Sequence, residues 1–349
     1  MTSNSPGSPR ILVAGAAGYI GSLLVRELLA RGWRVLAVDR MYFGERPLID
    51  LMKDPAFTLL RADLCRLDPM HLRGMHAVVD LASLCHDEST DLDPDWADTF
   101  NHRARVRLAT LAREAGVARH VLVSSTAVYG STRAAEVDET TPARPDSLAA
   151  HATLQAEQGC LALRRDGFAP TVLRLGSVHG VSPRMRFDLL VNRMTLGASR
   201  QRCVTLPQHG GRSQAHLHID DAVGAILRTL QAPLERVDGE IYNIGQTNLR
   251  PIEVAHIVRE VLGGKLQWLA EGAAAEPHHH HVRFGKAVLR LGWQPTGSLY
   301  TAVQEVATAL DCGRVADTPE THTLQWYRHL RACEQLLGSG SRMAHRTLH

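Results

Sequence analysis

Short apolar runs alternate with amphipathic segments over the first half of the chain. The segments at 20–31 and 96–115 place apolar residues three or four apart, which predicts helices. Strands that alternate with helices predict an α/β fold built on a Rossmann-type, doubly wound parallel sheet. The runs that we interpret as its strands lie at 11–13, 35–38, 57–60, 76–83, 121–130 and 171–180.

The same patterns divide the chain into regions. Residues 1–9 are Ser- and Pro-rich without an apolar core and are predicted to form a disordered tail. The sheet domain is predicted over 10–180 with returns near 216–246, and a small C-terminal lobe over 181–215 and 247–337. Further helices are predicted at 222–230, 251–262, 299–310 and 321–337, and a loose tail at 338–349.

Three glycines close the first apolar run, at Gly15, Gly18 and Gly21, directly before an amphipathic segment. This order predicts a strand, a tight turn and the start of a helix. The unpaired N–H groups and the dipole at a helix N-terminus attract phosphate. The second run ends at Asp39, about 20 residues further on, where a carboxylate accepts hydrogen bonds from a ribose. A dinucleotide is therefore the expected ligand.

The Gly-x-x-Gly-x-x-Gly spacing, Ser-Ser-x-x-Val-Tyr-Gly at 124–130 and His-x-Asp-Asp at 218–221 resemble one family. It is the extended short-chain dehydrogenases/reductases, the nucleotide-sugar epimerases and dehydratases, and the resemblance runs from Arg10 to about Thr308. It implies bound NAD and a small sugar or sugar-like substrate. The cofactor residues that it implies are Gly15, Ala17, Gly18, Tyr19, Ile20, Gly21, Asp39, Arg40, Asp63, Leu64, Leu81, Ala82, Ser83, Asn101 and Thr153.

Two neighbouring residues bear on the choice between NAD and NADP. The charge of Asp39 repels a 2′-phosphate and favours NAD. Arg40 follows at once, and an arginine there is able to accept that phosphate. NAD is the prediction, and the alternative stays open.

The resemblance also shows where the chain departs from its family. The family places a hydroxyl at Ser125 and a Tyr-x-x-x-Lys pair on the next helix, where Tyr is the general acid/base. Aligning Leu-Gln-Ala-Glu at 154–157 puts Ala149 at the Tyr and Thr153 at the Lys, and neither can move a proton. Moving the register by two residues would put His151 at the Tyr, at the cost of that alignment.

Histidine is the natural replacement, because its pKa of about 6.5 needs no lysine. His179 follows the sixth strand and stands at a common family Tyr, and His86 follows the fourth. We predict that Ser125, with His179 before His86, serves any reaction. A structural substitute for the Tyr is the alternative for His179.

Substrate contacts are predicted from the same alignment. Gln214 and His278 stand where the family has arginines on a nucleotide diphosphate, so we expect common diphosphate sugars to bind weakly. Arg212 is a substitute two residues away on an extended strand. The predicted substrate-binding residues are Ser125, Ser177, Arg184, Arg186, Asn192, Arg212, Gln214 and His278.

Four consecutive histidines, at 278–281, suggest a metal, but adjacent residues cannot all converge on one ion, so no metal site is predicted. A formal net charge of +3 argues against nucleic acid or membrane partners and leaves a small molecule. The six cysteines have no Cys-x-x-Cys spacing and are read as reduced thiols. The expected location is cytoplasmic, and a homodimer is left open.

Three functions remain at this stage. The first is an NAD-dependent epimerase, dehydratase or reductase on a sugar-like substrate. The second is a diverged enzyme of this family with a non-standard acid/base. The third is a non-catalytic NAD-binding sensor or complex partner.

Overall fold

The computed structural model describes residues 8–84, 93–130, 132, 134–207, 212–271 and 281–344. The strands are β1 (Arg10–Ala14), β2 (Arg34–Asp39), β3 (Phe57–Arg61), β4 (Ala77–Asp80), β5 (Arg119–Ser125), β6 (Glu136–Val137), β7 (Ala169–Leu175), β8 (Ser177–His179), β9 (Cys203–Pro207), β10 (Gln214–His218), β11 (Ile241–Ile244), β12 (Thr247–Leu249), β13 (Gln267–Glu271) and β14 (His281–Val282). Seven of them form a parallel sheet in the order β11-β7-β5-β4-β1-β2-β3. The predicted α/β, Rossmann-type fold is confirmed.

Helices cover both faces of this sheet and also pack in the C-terminal half of the chain. They are α1 (Gly21–Ala30), α2 (Ala104–Glu114), α3 (Leu148–Leu161), α4 (Leu190–Gln201), α5 (Ile219–Gln231), α6 (Pro251–Leu262), α7 (Leu299–Asp311) and α8 (Thr323–Ala344). A short turn, Pro94–Trp96, and a π-helical stretch, Ala97–Arg103, lead into α2. No helix within the described ranges is both long enough and apolar enough to cross a membrane.

Strand β1 shows why the apolar runs carry no polar alternation. Successive side chains point to opposite faces of a strand. Ile11 and Val13 pack in a core with Leu24 of α1, whereas Leu12 packs in a second core with Leu108 of α2. Both faces of the strand are therefore buried, as in other parallel sheets.

The predicted sixth strand divides into two. β7 stays in the central sheet, and β8 pairs with β10 in a separate three-stranded sheet that also contains β12. Gly176 joins them, and a Cβ there would lie 2.9 Å from the backbone of Ala215, so only glycine permits this approach. The division brings His179 opposite His218.

A third apolar core lies in the C-terminal half. It joins α4, α6 and α7, represented by Met194, Val258 and Val303. The predicted limits of a lobe over 181–215 and 247–337 stay a prediction.

Two local predictions were wrong. Helix α5 begins at Ile219, before the predicted start at 222, and its cap is His218, whose Nδ1 accepts from the Asp220 N–H at 3.3 Å. The Asp221 carboxylate in its first turn accepts from the Thr296 and Gly297 N–H groups. Helix α8 continues to Ala344, so residues 338–344 are helical and not a loose tail.

Candidate cofactor and catalytic site

The turn between β1 and α1 is built for close approach to backbone. Gly15 has a φ of +76°, and its N–H donates to the Val38 carbonyl at 2.9 Å. A Cβ at Gly15 would lie 2.9 Å from the backbone of Ala82, and one at Gly21 would overlap the Gly15 carbonyl. Helix α1 has no side-chain cap at Ile20, and its Ser22 N–H donates to the Gly18 carbonyl at 3.0 Å. The positive end of the helix dipole lies at this turn and favours an anion. The turn fits the pyrophosphate of a dinucleotide.

Asp39 ties the end of β2 to this turn. Its Oδ2 accepts from the Ala17 N–H at 3.0 Å, and its Oδ1 accepts from the Met41 N–H at 2.7 Å. Burial raises the pKa of Asp39, and the positive charge of Arg184 acts in the opposite direction. The carboxylate is therefore held in a fixed orientation beside the turn, where a ribose is expected.

Arg40 is engaged on several sides. Its guanidinium lies 3.4 Å from the Asp63 carboxylate and 4.8 Å from the ring centres of both Tyr42 and Phe100. The Asp63 carboxylate also accepts from the Cys65 N–H at 2.9 Å. Because Arg40 is neutralised by Asp63, this geometry favours NAD over NADP.

The loop after β4 forms another side of the expected cofactor site. The Asn101 side chain accepts from the Leu84 N–H at 2.7 Å and donates to the Leu84 carbonyl at 3.1 Å. Ser83 also donates to this side chain, at 3.3 Å. The side chain of Asn101 therefore fixes the course of the loop that carries Leu81 and Ala82. His86 lies outside the described residues.

Helix α3 carries no ionisable group at the two expected catalytic positions. Ser147 caps the helix, Ala149 is buried, and the Thr153 hydroxyl donates to the Ala149 carbonyl at 2.8 Å. Glu157, one turn further on, is buried and forms an ion pair with Arg174 of β7 at 2.6 Å.

That ion pair fixes the rotation of the helix. Positions 149, 153 and 157 follow one another at intervals of four residues and share a face, which Glu157 holds against the sheet. His151 lies about 200° around the helix from Ala149 and is exposed. Ala149 and Thr153 therefore lie on the face of α3 that contains Glu157, and the absence of the catalytic pair stays a prediction.

Ser125 ends β5 and is exposed, and its Oγ accepts from the Ala127 N–H at 3.1 Å. This bond uses an acceptor lone pair and leaves the hydroxyl proton for another partner. The position suits the predicted contact with a reacting oxygen.

His179 is in a different environment from the one that an acid/base needs. It is 1% exposed, and its ring centre lies 6.0 Å from that of His216 and 5.9 Å from that of His218. Burial lowers the pKa of His179 to about 3 and that of His216 to about 4. Neither ring nitrogen of His179 has a hydrogen-bond partner among the described residues. A buried, neutral imidazole favours the structural alternative for His179.

Three predicted substrate residues are occupied inside the protein. The Asn192 amide accepts from the Gly180 N–H at 3.1 Å and donates to the Tyr19 hydroxyl at 3.0 Å. Arg186 binds Asp188, with Nε 3.1 Å from Oδ2. Arg184 lies 3.7 Å from the ring centre of Phe43 and donates to the Thr323 hydroxyl at 3.0 Å.

All three side chains are buried, and these contacts hold the loop after β8 against the glycine turn and α8. Arg184, Arg186 and Asn192 are thus engaged within the protein, and their predicted contact with the substrate stays a prediction.

The other predicted substrate residues lie around α3 and β10. Ser177 is half-buried and pairs with His216 across β8 and β10. Arg212 lies 3.2 Å from Asp146, just before α3, and Gln214 is exposed at the start of β10. His278 lies outside the described residues, as do 279 and 280.

Sequence reasoning missed two buried ion pairs that support the site. Arg105 lies 3.0 Å from Asp80 and donates to the Val123 carbonyl, which joins α2 to the ends of β4 and β5. Arg174 and Glu157 join β7 to α3. Charged residues inside apolar runs were the available signal, because a buried charge needs a partner.

A doubly wound parallel sheet with a glycine turn after its first strand and a carboxylate at the end of the second is typical of dinucleotide-binding α/β proteins. Residues 11–245 match the model of the NAD dependent epimerase/dehydratase family, and the chain belongs to that family. The predicted family, its enzymatic character and NAD as its cofactor are confirmed.

Similar proteins agree with this assignment. An uncharacterised UDP-glucose epimerase, YtcB, of Bacillus subtilis is 28% identical over 308 residues, 83% of this chain and 94% of that protein. A dTDP-glucose 4,6-dehydratase of Streptomyces griseus is 31% identical over 246 residues, 67% of this chain and 73% of that protein. The structure of MoeE5 in complex with UDP-glucose and NAD is similar with a TM-score of 0.77, 26% identity, and coverage of 88% of this chain and 100% of that one.

Proposed function

We propose that this chain is an NAD-dependent oxidoreductase of the epimerase/dehydratase type whose proton transfer does not come from helix α3. One observation carries the proposal. The cofactor cradle around Gly15 and Asp39 is complete, whereas the helix face that should carry Tyr and Lys holds Ala149 and Thr153.

We propose the following roles for the residues of the site. Bound NAD supplies a hydride acceptor. The glycine turn and Asp39 bind and orient the dinucleotide, and the Ser125 hydroxyl binds the reacting oxygen of the substrate. The proton acceptor is a group other than those on α3. His86 and His179 remain the proposed candidates, although the low pKa of buried His179 weighs against it.

The substrate that we propose is a sugar or sugar-like polyol without a strongly held diphosphate. The relatives named above are a UDP-glucose epimerase and a dTDP-glucose dehydratase. In this chain Gln214 replaces one expected arginine, and Arg184 and Arg186 are engaged elsewhere. Arg212, which lies 3.2 Å from Asp146 just before α3, is the arginine that we propose as a substrate contact on this side.

The loss of the α3 pair also favours a second candidate, a non-catalytic NAD-binding protein. A positioned acid/base contributes about a hundredfold to ten-thousandfold in rate, so its loss without replacement would leave little turnover.

A homodimer is a further proposal, which light scattering of the purified protein tests.

Turnover with a sugar panel separates the two functions. Purified protein with NAD is mixed with free sugars, sugar phosphates and diphosphate sugars. The absorbance of reduced nicotinamide, the product mass and the chromatographic separation of epimers are followed. The enzymatic proposal expects turnover that Ser125→Ala reduces at least tenfold, with NAD affinity unchanged. Absence of any product in the presence of tightly bound NAD would establish the non-catalytic alternative.

A further inference from the structure

Helix α8 lies beside the adenosine end of the expected cofactor site, outside the 11–245 span that matches the family model. At this end of the site, α8 contacts the short turn after β2, which directly follows Asp39 and Arg40. The Trp326 indole N–H donates to the Tyr42 carbonyl at 2.6 Å. The buried Tyr327 ring lies 6.2 Å from Tyr42 and 5.4 Å from Phe43.

This turn has an unusual backbone. Met41 has a φ of +61°, in the left-handed region that a non-glycine residue adopts only when its surroundings stabilise it. The conformation directs the Met41 N–H back to the Asp39 carboxylate at 2.7 Å. Contacts from α8 to the next two residues help to hold this turn in place.

A second contact reaches Asp39 from the other side. Arg184 packs over Phe43, donates to Thr323 at the start of α8, and its charge favours the ionised form of Asp39. At the far edge, Arg331 lies 5.8 Å from the ring of Trp96, which in turn contacts Phe100. Helix α8 therefore contacts three segments that surround the adenosine end: the turn after β2, the loop after β8, and the segment leading into α2.

We propose that α8 is part of the cofactor site: it clamps the Tyr42–Phe43 turn, presets the Asp39 carboxylate for the ribose, and slows the release of NAD. Asp39 is oriented before the ligand arrives, so binding does not have to order the turn. The contacts of α8 with the turn also oppose any opening of the turn that accompanies release of the dinucleotide. The inference rests on NAD binding by this chain and not on turnover.

The test compares two α8 variants with a matched control. Trp326→Phe removes the hydrogen bond to Tyr42 and keeps an aromatic ring, and Tyr327→Leu removes the ring contacts and keeps apolar volume. Gln325→Ala changes an exposed residue of the same helix and is the control. Release of NAD is measured by displacement in a stopped-flow instrument, and affinities for ADP-ribose and nicotinamide mononucleotide by calorimetry.

We expect each α8 variant to release NAD about two- to tenfold faster and to bind ADP-ribose about two- to tenfold more weakly, from the loss of one net hydrogen bond or ring contact. Affinity for nicotinamide mononucleotide should stay within twofold of wild type, as should all values for the control. A purely structural role of α8 would lower the melting temperature and leave NAD release and ADP-ribose affinity unchanged, which would overturn the clamp.

The clamp and the proposed enzyme fail in different ways. Unchanged NAD release in both α8 variants overturns the clamp alone and leaves the enzymatic proposal intact. Tight, clamp-dependent NAD binding without any product overturns the enzyme alone. A wild-type protein that does not bind NAD overturns both.

Discussion

The cofactor side and the catalytic side of this cleft have diverged to different extents. On the cofactor side, Gly15 and Gly21 leave no room for side chains, and Asp39 joins the turn to β2 by two backbone hydrogen bonds. On the catalytic side, α3 keeps its rotation through the buried Glu157–Arg174 pair but presents Ala149 and Thr153. The helix therefore keeps a fixed face toward the sheet, and the two positions at which the resemblance expects Tyr and Lys hold Ala149 and Thr153. We propose that cofactor binding and the usual proton transfer have become separate in this chain.

The largest expected effect concerns the glycine turn. Gly21→Ala should reduce NAD affinity more than about a hundredfold, because its Cβ would overlap the Gly15 carbonyl and displace the anion-binding turn. Gly285→Ala is the control, since a Cβ there meets no atom within 4 Å. Calorimetric titration of NAD into both variants measures the difference. Equal affinities would contradict the claim that this glycine turn holds the cofactor.

The buried histidines predict loss of stability in mild acid. The pKa of His179 is lowered to about 3 and that of His216 to about 4, so protonation favours the unfolded chain, whose histidines titrate near 6.5. Stability is full above that pH and falls between about 6.5 and 4, by about 1 to 2 kcal/mol per histidine by about pH 5.

Urea unfolding at several pH values measures this loss. His179→Phe should make the dependence shallower by the share of one histidine, whereas exposed His151→Phe should not. An equal dependence in wild type and His179→Phe would show that the ring is already charged or solvated in the fold, and would restore it as a candidate acid.

The next effect concerns the preference for NAD over NADP when the charge of Asp39 is removed. Asp39→Asn should raise NADP affinity relative to NAD by about tenfold or more, because it removes the charge that repels a 2′-phosphate while Arg40 stays close by. Asp50→Asn, a carboxylate that pairs with Arg26, is the control. Binding of both dinucleotides to each variant decides it, and tighter binding of NADP than NAD by wild type would contradict the assignment.

Restoring an arginine on the substrate side should have the smallest effect. Gln214 is exposed and stands at an expected diphosphate contact, so Gln214→Arg should tighten UDP-glucose binding by about tenfold, the value of one charge-assisted hydrogen bond. Gln155→Arg adds the same charge on the exposed face of α3. If wild type already binds UDP-glucose at low micromolar concentration, the proposed loss of diphosphate contacts is wrong.

The sequence predicted best what depends on near neighbours. The Gly15–Gly21 turn and Asp39 lie within one strand–helix–strand unit, where spacing and residue type determine the geometry. The sequence likewise predicted Ala149 and Thr153 at the positions of the expected Tyr and Lys, because Glu157 fixes the register of that helix.

Long-range contacts determine the surroundings that the sequence could not predict. Arg184 was expected at the substrate, but its partner Thr323 is 139 residues away. His179 was expected in an open crevice, but β8 leaves the central sheet and pairs with β10, which buries the ring against His216 and His218. Neither partner can be inferred from local hydrophobic pattern, since both depend on how distant segments pack.

Restoring the missing pair tests the central claim most directly. Ala149→Tyr with Thr153→Lys installs the pair on the face of α3 fixed by Glu157, and exposed His151→Tyr with Gln155→Lys installs it about 200° away. The measurement is the rate of nicotinamide reduction by a sugar substrate in both double variants. The account predicts a rate at least about a hundredfold above wild type in the first variant alone. A gain in the second variant, or no gain in the first, would contradict it.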